Sequence, residues 1–396
     1  MKEFIAEFNK EAAMNLLKDI ISIPTVNGRD SVNPLSEYLR DYFEAAGITS
    51  QIQEIDETHS NVIAFIKGVN ESKTVIWNGH MDTVAYGDLA SWESDPKVPV
   101  IKDGRMYGRG TSDMKSGLAA MVFALTEINK NNFRPKHNIQ FIATCDEETG
   151  GAGAKAIISE KKMSESDMLL IGEPTGLLLG IAQKGCLWTK ISVRGKTGHG
   201  AYPKEGINAI EAAFFIANGV KEYVNTYKHA ILGEATAQIT KCEGGIQANM
   251  TPDECALTMD IRLVPELNYK DITNVIFNLM REWNTNRKNM LNANSDDETE
   301  EAHVYIDFIN NKRAIEISTE AQLAKSVIDA LHNTETPIDY TGISYFTDAG
   351  VLVEDKPKMQ VLLFGPGEAA LAHKPNEYVE IDKYLRAIEV FIEAAL

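Results

Sequence analysis

Cysteine is scarce: Cys145, Cys186, Cys242 and Cys255 are the only thiols in 396 residues, and no CxxC pair occurs among them. That spacing, in a chain long enough to bury a sizeable core, argues against a disulfide framework and against a zinc knuckle. The four read as small buried strand residues, with Cys145 open to oxidants only if it is exposed. Positive charge is also in deficit. Lys plus Arg number 39 against 57 for Asp plus Glu, and the net charge of -18 opposes non-specific binding to nucleic acid or anionic lipid. No stretch approaches the roughly 18 uninterrupted apolar residues of a membrane-spanning helix. Met1 to Lys10 alternates charged with apolar residues and lacks the apolar run of a signal peptide. A cytoplasmic protein with neither nucleic acid nor membrane as partner is expected. The content of 44% hydrophobic and 24% charged residues is that of a globular protein, and the length suggests two domains.

Gly and Pro punctuate a βα alternation from about Ile20 to Gly180, with helical patterns at Glu11 to Ile21, Leu35 to Ala46 and Ser116 to Asn129. That alternation predicts an α/β fold with a mostly parallel central sheet covered by helices on both faces. After Gly185 the pattern changes to strand (Leu187 to Val193), helix (Ile207 to Tyr227), two strands (Ala235 to Cys242 and Glu254 to Leu263), helix (Asp271 to Arg287) and strand (His303 to Ile309). The order βαββαβ is the split arrangement of ferredoxin-like domains. The acidic stretch Asn292 to Glu301 reads as a solvated loop. From Ile315 the helix and strand pattern returns to the first domain. The expected division is therefore 1–183 and 312–396 for the first domain and 184–311 for an insertion, joined by two hinge strands suited to closing a lid over a cleft.

Four apolar runs each end on metal-ligand residue types. Thr74 to Trp77 precedes Asn78-Gly79-His80-Met81-Asp82, and Ile139 to Thr144 precedes Asp146-Glu147-Glu148. Met168 to Ile171 precedes Glu173, and Gln360 to Phe364 precedes the loop carrying His373. A fifth residue, Asp113, opens the helical run that includes Leu118 to Leu125. Ligands gather at the carboxyl ends of strands in open α/β sheets, so these loops are expected to share one crevice. Two histidines and three carboxylates suit a two-metal hydrolase. Asp82, two residues after His80, is placed to accept from that imidazole and set its tautomer. Glu147 and Glu148 face opposite ways in extended chain, so one can bind metal while the other takes a proton from water.

The segments Asn78 to Val84, Tyr107 to Lys115, Asp146 to Gly151 and Gly172 to Thr175 resemble the di-zinc amidohydrolase family of acetylornithine deacetylases, succinyl-diaminopimelate desuccinylases, aminoacylases and glutamate carboxypeptidases. The likeness implies a zinc-exopeptidase-like catalytic domain, an inserted lid that also forms a homodimer, and two Zn2+ per chain, with Co2+ or Mn2+ able to substitute. It implies that Asp113 bridges both zincs, that His80 and Glu173 complete one, and that Glu148 and His373 complete the other. Glu147 would be general base and then acid, with Asp82 orienting His80, and a non-proline cis peptide would follow Asp113. In the insertion, Gly195 to Pro203 resembles a second family signature, in which His199 reaches a partner subunit's site and stabilises the oxyanion. Position 200 is Gly, where the family more often has another small residue. Asn249 and Arg262 resemble residues that hold the substrate's carboxylate, a task to which the planar Arg fork is suited. The loops Thr341 to Asp348 and Gly365 to Glu368 are expected beside the substrate. The implied activity is hydrolysis of an N-acyl amino acid, of succinyl-diaminopimelate or acetylornithine type, with a dipeptidase or carboxypeptidase as the alternative. A metal-dependent binding protein is the reading from another class, and the adjacent Glu147 and Glu148 speak against it, since binding needs no base.

Overall fold

Four strands lie parallel and side by side at the centre of a nine-stranded sheet in the computed structural model, which describes residues 8–161, 163–291 and 301–396. In spatial order they are His137–Thr144, Asn70–His80, Met168–Ile171 and Gln360–Leu363. These contain the four apolar runs that end on ligand-type residues, Thr144 and His80 included. One row crosses all four: Ile142 pairs with Asn78, Asn78 with Ile171, and Ile171 with Leu363. The chain thus leaves every one of these strands at the same sheet edge, within a few residues of a common line.

Outside this block the sheet is mixed, which corrects the expectation of a mostly parallel one. Ser50–Glu54 pairs antiparallel with Ser60–Ile66, and that strand pairs antiparallel with His137–Thr144. The reason is local: residues 55–59 are too few for a parallel crossover, which needs about a dozen. Leu179–Gln183 also meets Gln360–Leu363 antiparallel.

Both faces of the sheet are covered. Trp77, Phe141, Leu170 and Leu362 join the main core, and their neighbours Ile76, Ile142, Leu169 and Val361, which point the other way, are buried too. Burial at successive positions toward the carboxyl end of each strand marks a two-sided core. Trp77 meets Phe391 at 5.4 Å between ring centroids, and Phe141 meets Phe43 at 5.2 Å. Each such fully buried Phe contributes about 1.5–3 kcal/mol through apolar area removed from water.

The helix Lys10–Ser22 begins where the Asn9 side chain accepts from the Ala12 N–H at 3.0 Å. The helix Lys115–Lys130 is buried almost all round, from Lys115 to Thr126 without a break, as its unbroken apolar run demands. Its Gly117 allows a close approach: a Cβ there would lie 1.8 Å from the Gly172 carbonyl oxygen. That contact draws the start of the helix onto the loop that carries Glu173.

Contacts divide the chain into two units, Met1–Ala182 with Glu316–Ile343 and Thr347–Leu396, and Gln183–Ile315 with Ser344–Phe346. The second unit has a four-stranded antiparallel sheet in the order Thr236–Gly244, Glu254–Leu263, Gly185–Arg194, His303–Lys312, and two long helices, Ala209–Val224 and Tyr269–Leu291. Along Glu254–Leu263, Cys255, Leu257, Met259, Ile261 and Leu263 are buried at alternate positions, the period of a sheet with one covered face. Ser344–Phe346 joins this unit because the Phe346 ring meets Trp188 at 6.3 Å and lies under the Lys312 ammonium at 3.8 Å.

Cys145, Cys186 and Cys255 are buried, whereas Cys242 is exposed, against expectation, because it lies on an edge strand whose far end is open to solvent. The expected acidic loop from Asn292 lies outside the described residues up to position 300; Glu301 pairs with Lys288 at 2.6 Å. Among the described residues no helix is long and apolar enough to cross a membrane.

Candidate metal centre

The loops leaving the four parallel strands converge with the turn before the helix at Lys115. His80, the last residue of its strand, is buried, and its Nε2 lies 3.2 Å from Asp113 Oδ1. On the other side of the same carboxylate, His373 Nε2 lies 3.5 Å from Asp113 Oδ2 and 3.0 Å from Glu148 Oε2. Asp113 thus stands between two imidazoles. Ligand atoms of His80, Asp113 and Glu148 all lie within 4.8 Å of one another. Glu173, buried, acts electrostatically on His80 and is itself acted on by Asp113 and Glu148. The peptide between Asp113 and Met114 is cis.

His80 and His373 differ in setting. His80 ends a buried strand, while the His373 side chain is 54% exposed on a loop whose backbone is left-handed at His373 and Asn376 (φ 64° and 59°).

Asp82 accepts from the His80 imidazole as expected, through its backbone carbonyl. His80 Nδ1 donates to the Asp82 backbone carbonyl at 2.9 Å, while the nearer carboxylate oxygen is 3.9 Å away. The carboxylate instead accepts the backbone N–H of Glu147 at 3.2 Å, that of Glu148 at 3.1 Å, and the Asn27 amide at 2.5 Å. Backbone and side chain of one residue therefore fix the His80 tautomer and the Glu147–Glu148 turn together.

Electrostatics make the cluster costly by itself. Burial, with Asp348, Glu173 and Glu148 adding to it and His80 opposing, holds the Glu147 carboxyl well above the usual range. Burial and Asp113 do the same to Glu173, and Glu148 is raised by burial against the pull of its hydrogen bond to His373. For His80, burial works against the charged form, but Asp113, Asp82 and Glu173 outweigh it and raise the imidazole. Grouped buried carboxylates are stable when protons or cations neutralise them. The donors are oxygen and imidazole nitrogen, the set that suits divalent ions such as zinc, cobalt or manganese. Glu147 Oε1 is buried without a hydrogen-bond partner, an oxygen left free to take a proton. The residues present fit a pair of divalent cations.

Several contributors carried no signal in local sequence. Glu377 is buried and its Oε1 accepts the backbone N–H groups of Ser112 and Asp113 at 2.7 and 3.0 Å. Arg109, also buried, is its ion-pair partner at 2.5 Å. Asp348 accepts from Thr144 at 2.6 Å, and Thr144 in turn receives the Asn78 amide at 3.1 Å. The Gly365 to Glu368 loop buttresses the ligand loops: Gly176 N–H donates to Gly367 O at 2.7 Å, Leu177 N–H to Gly365 O at 2.9 Å, and Ser112 Oγ to Glu368 O at 2.9 Å.

The other three candidates belong to the second unit. His199 and Asn249 are neighbours there, because Gly198–His199 pairs with Met250–Thr251 and the Gly200 N–H donates to Asn249 O at 2.9 Å. A Cβ at Gly200 would come 3.0 Å from that same oxygen, which explains the small residue. Both side chains are exposed. Arg262 is forked on Asp260, with Nε and Nη2 at 2.8 and 3.0 Å from its two oxygens.

Comparison with known proteins follows this geometry. Residues 76–396 match the model of peptidase family M20/M25/M40. A probable succinyl-diaminopimelate desuccinylase of Staphylococcus aureus is 31% identical, with 98% of each chain covered. Among solved structures, a tripeptidase of Staphylococcus aureus superposes with a TM-score of 0.72 at 21% identity, covering 98% of each chain. A Bacillus subtilis protein described as a dinuclear metal-binding peptidase from the M20 family gives a TM-score of 0.69 at 15% identity, with 98% of this chain and 97% of that one covered. At those identities the two structures speak for the fold alone.

Proposed function

The chain belongs to peptidase family M20/M25/M40, and from that premise we propose that it hydrolyses the amide bond of an N-succinyl amino acid of the succinyl-diaminopimelate type, using two divalent cations, zinc foremost. His80 and Glu173 would hold one cation and Glu148 and His373 the other, with Asp113 shared between the two. The observation that carries the reading is the meeting of His80, Asp113 and Glu148 within 4.8 Å beside a buried carboxylate, Glu147, with an open oxygen. Bound cations supply Lewis-acid polarisation of the amide carbonyl and a more acidic water.

Glu147 performs the proton transfers. Its carboxylate takes a proton from water and returns it to the leaving amine, so that products are a free amine and a carboxylate. Asp82 holds that residue by its backbone and holds His80 by its own carbonyl. His199 accepts the Ala201 N–H at Nδ1, 3.0 Å away, so the neutral ring carries its proton on Nε2. We assign that outward N–H to the developing oxyanion, delivered from a partner subunit, and Asn249 and Arg262 to the substrate's carboxylate. Arg262 donates one hydrogen bond to Asp260, from Nη2, and its remaining donors suit a second carboxylate. The second unit's strand order supports a ferredoxin-like fold, and its exposed Phe277, Tyr305, Phe308 and Ile309 support a role for it in a homodimer.

The test is turnover of N-succinyl amino acids, N-acetyl amino acids, dipeptides and tripeptides by protein loaded with zinc, cobalt or manganese. N-succinyl substrates are expected to react fastest. Faster cleavage of peptides would replace the desuccinylase reading by a peptidase one, and no turnover with two cations bound would leave a binding protein.

A further inference from the structure

Arg109 and Glu377 form an ion pair that is almost wholly buried, 3% and 1% exposed, and it touches three of the loops that build the centre. Glu377 Oε2 accepts from Arg109 Nη1 at 2.5 Å, while its Oε1 accepts the N–H groups of Ser112 and Asp113. From the same guanidinium, Nη1 donates to Lys374 O at 3.2 Å and Nη2 to Ala85 O at 3.1 Å. The Trp92 ring closes one side at 5.1 Å. One contact thus falls beside Asp113, one beside His373, and one on the loop that follows His80 and Asp82.

A buried ion pair is a poor stabilising device, because desolvation of both charges offsets most of their attraction. Its rigid fork, in contrast, fixes distances. His373 needs such fixing more than any other proposed ligand, since it is half exposed and lies on a left-handed loop rather than at a strand end. A second anchor acts at the same loop: Asn376 accepts the Glu93 N–H at 2.7 Å and donates to Ser91 O at 3.1 Å.

We propose that Arg109 and Glu377 are positioning residues that set the separation of Asp113 from His373 and thereby the affinity of the cation those two share. This rests on the metal-centre reading above. The experiment is calorimetric titration of folded, metal-free protein with Zn2+, alongside thermal denaturation, for the wild type, Glu377→Gln, Arg109→Lys and the double variant Arg109→Met with Glu377→Leu. Loss of such supporting contacts typically costs about 10- to 100-fold in metal affinity. Each single variant is expected to weaken one of the two cations by that factor and to leave the other within about threefold. The double variant, free of unpaired buried charge, is expected to regain melting temperature without regaining affinity. Should both affinities stay at the wild-type value while only the melting temperature falls, the pair is merely structural and the proposal is overturned. Recovery of affinity together with stability in the double variant overturns it equally. Arg109→Lys keeps a buried cation and carries the test if Glu377→Gln fails to fold. Wild-type protein binding fewer than two cations would instead refute the metal-centre reading itself.

Discussion

In the first unit, residues as far apart in the chain as His80 and His373 meet around one carboxylate; in the second, His199 and Arg262 are each engaged by a residue two positions away, and Asn249 meets Gly200 across a short antiparallel pair. The difference follows from strand direction. Parallel neighbours release their chains at one edge, so chemistry placed just after each strand collects there. Antiparallel neighbours release theirs at alternate edges and spread such residues out. Convergence in the first unit is thus a product of topology.

The largest expected effect concerns the first unit alone. Glu147→Gln should lower kcat by about 10²- to 10⁴-fold, the usual worth of a positioned general base, with cation content unchanged. Loss of a cation in that variant would instead make Glu147 a ligand. Next comes the second unit: His199→Ala should lower kcat by about 10²- to 10³-fold with both cations retained, as for loss of one oxyanion donor. An unchanged rate would remove the second unit from the chemistry and leave the contrast absolute. Smaller still, Asp82→Asn should weaken cation binding about 10- to 100-fold, read by titration of metal-free protein. Because the Asp82 carboxylate holds the Glu147–Glu148 turn and not the imidazole, the cation bound by Glu148 and His373 should suffer more than the one bound by His80 and Glu173. Equal losses would mean that the carboxylate acts on both through His80.

How legible each part was depends on how local its cause is. The strands at Asn70–His80, His137–Thr144, Met168–Ile171 and Gln360–Leu363 were visible because each is an apolar run with a polar break, and the ligand types after them stood in plain view. The helix positions named from the sequence lie within a few residues of those found, because 3.6-residue periodicity marks them. The antiparallel edge departs from the alternation of strand and helix because no helix intervenes between Ser50–Glu54 and Ser60–Ile66. Glu377 was invisible for another reason: its partners Ser112 and Asp113 lie more than 260 residues away, and a single Glu in a loop has no spacing to betray it. The spacing of His80 and Asp82 pointed to Asp82 as the acceptor, as found, but residue spacing does not tell a carbonyl from a carboxylate.

The position of Gln360–Leu363 has a bearing on synthesis. It is an inner strand, flanked by Met168–Ile171 and Leu179–Gln183, yet it emerges from the ribosome roughly 180–190 residues after both of these neighbours. At typical elongation rates of about 5–20 residues per second, the nascent first unit waits roughly 10–40 s with an unpaired strand edge at its centre. Throughout that interval the edge is a template for pairing with another chain. A chain released before residue 360 should accordingly be a chaperone client, or aggregate, even though the loops bearing His80, Asp113, Glu148 and Glu173 are already made.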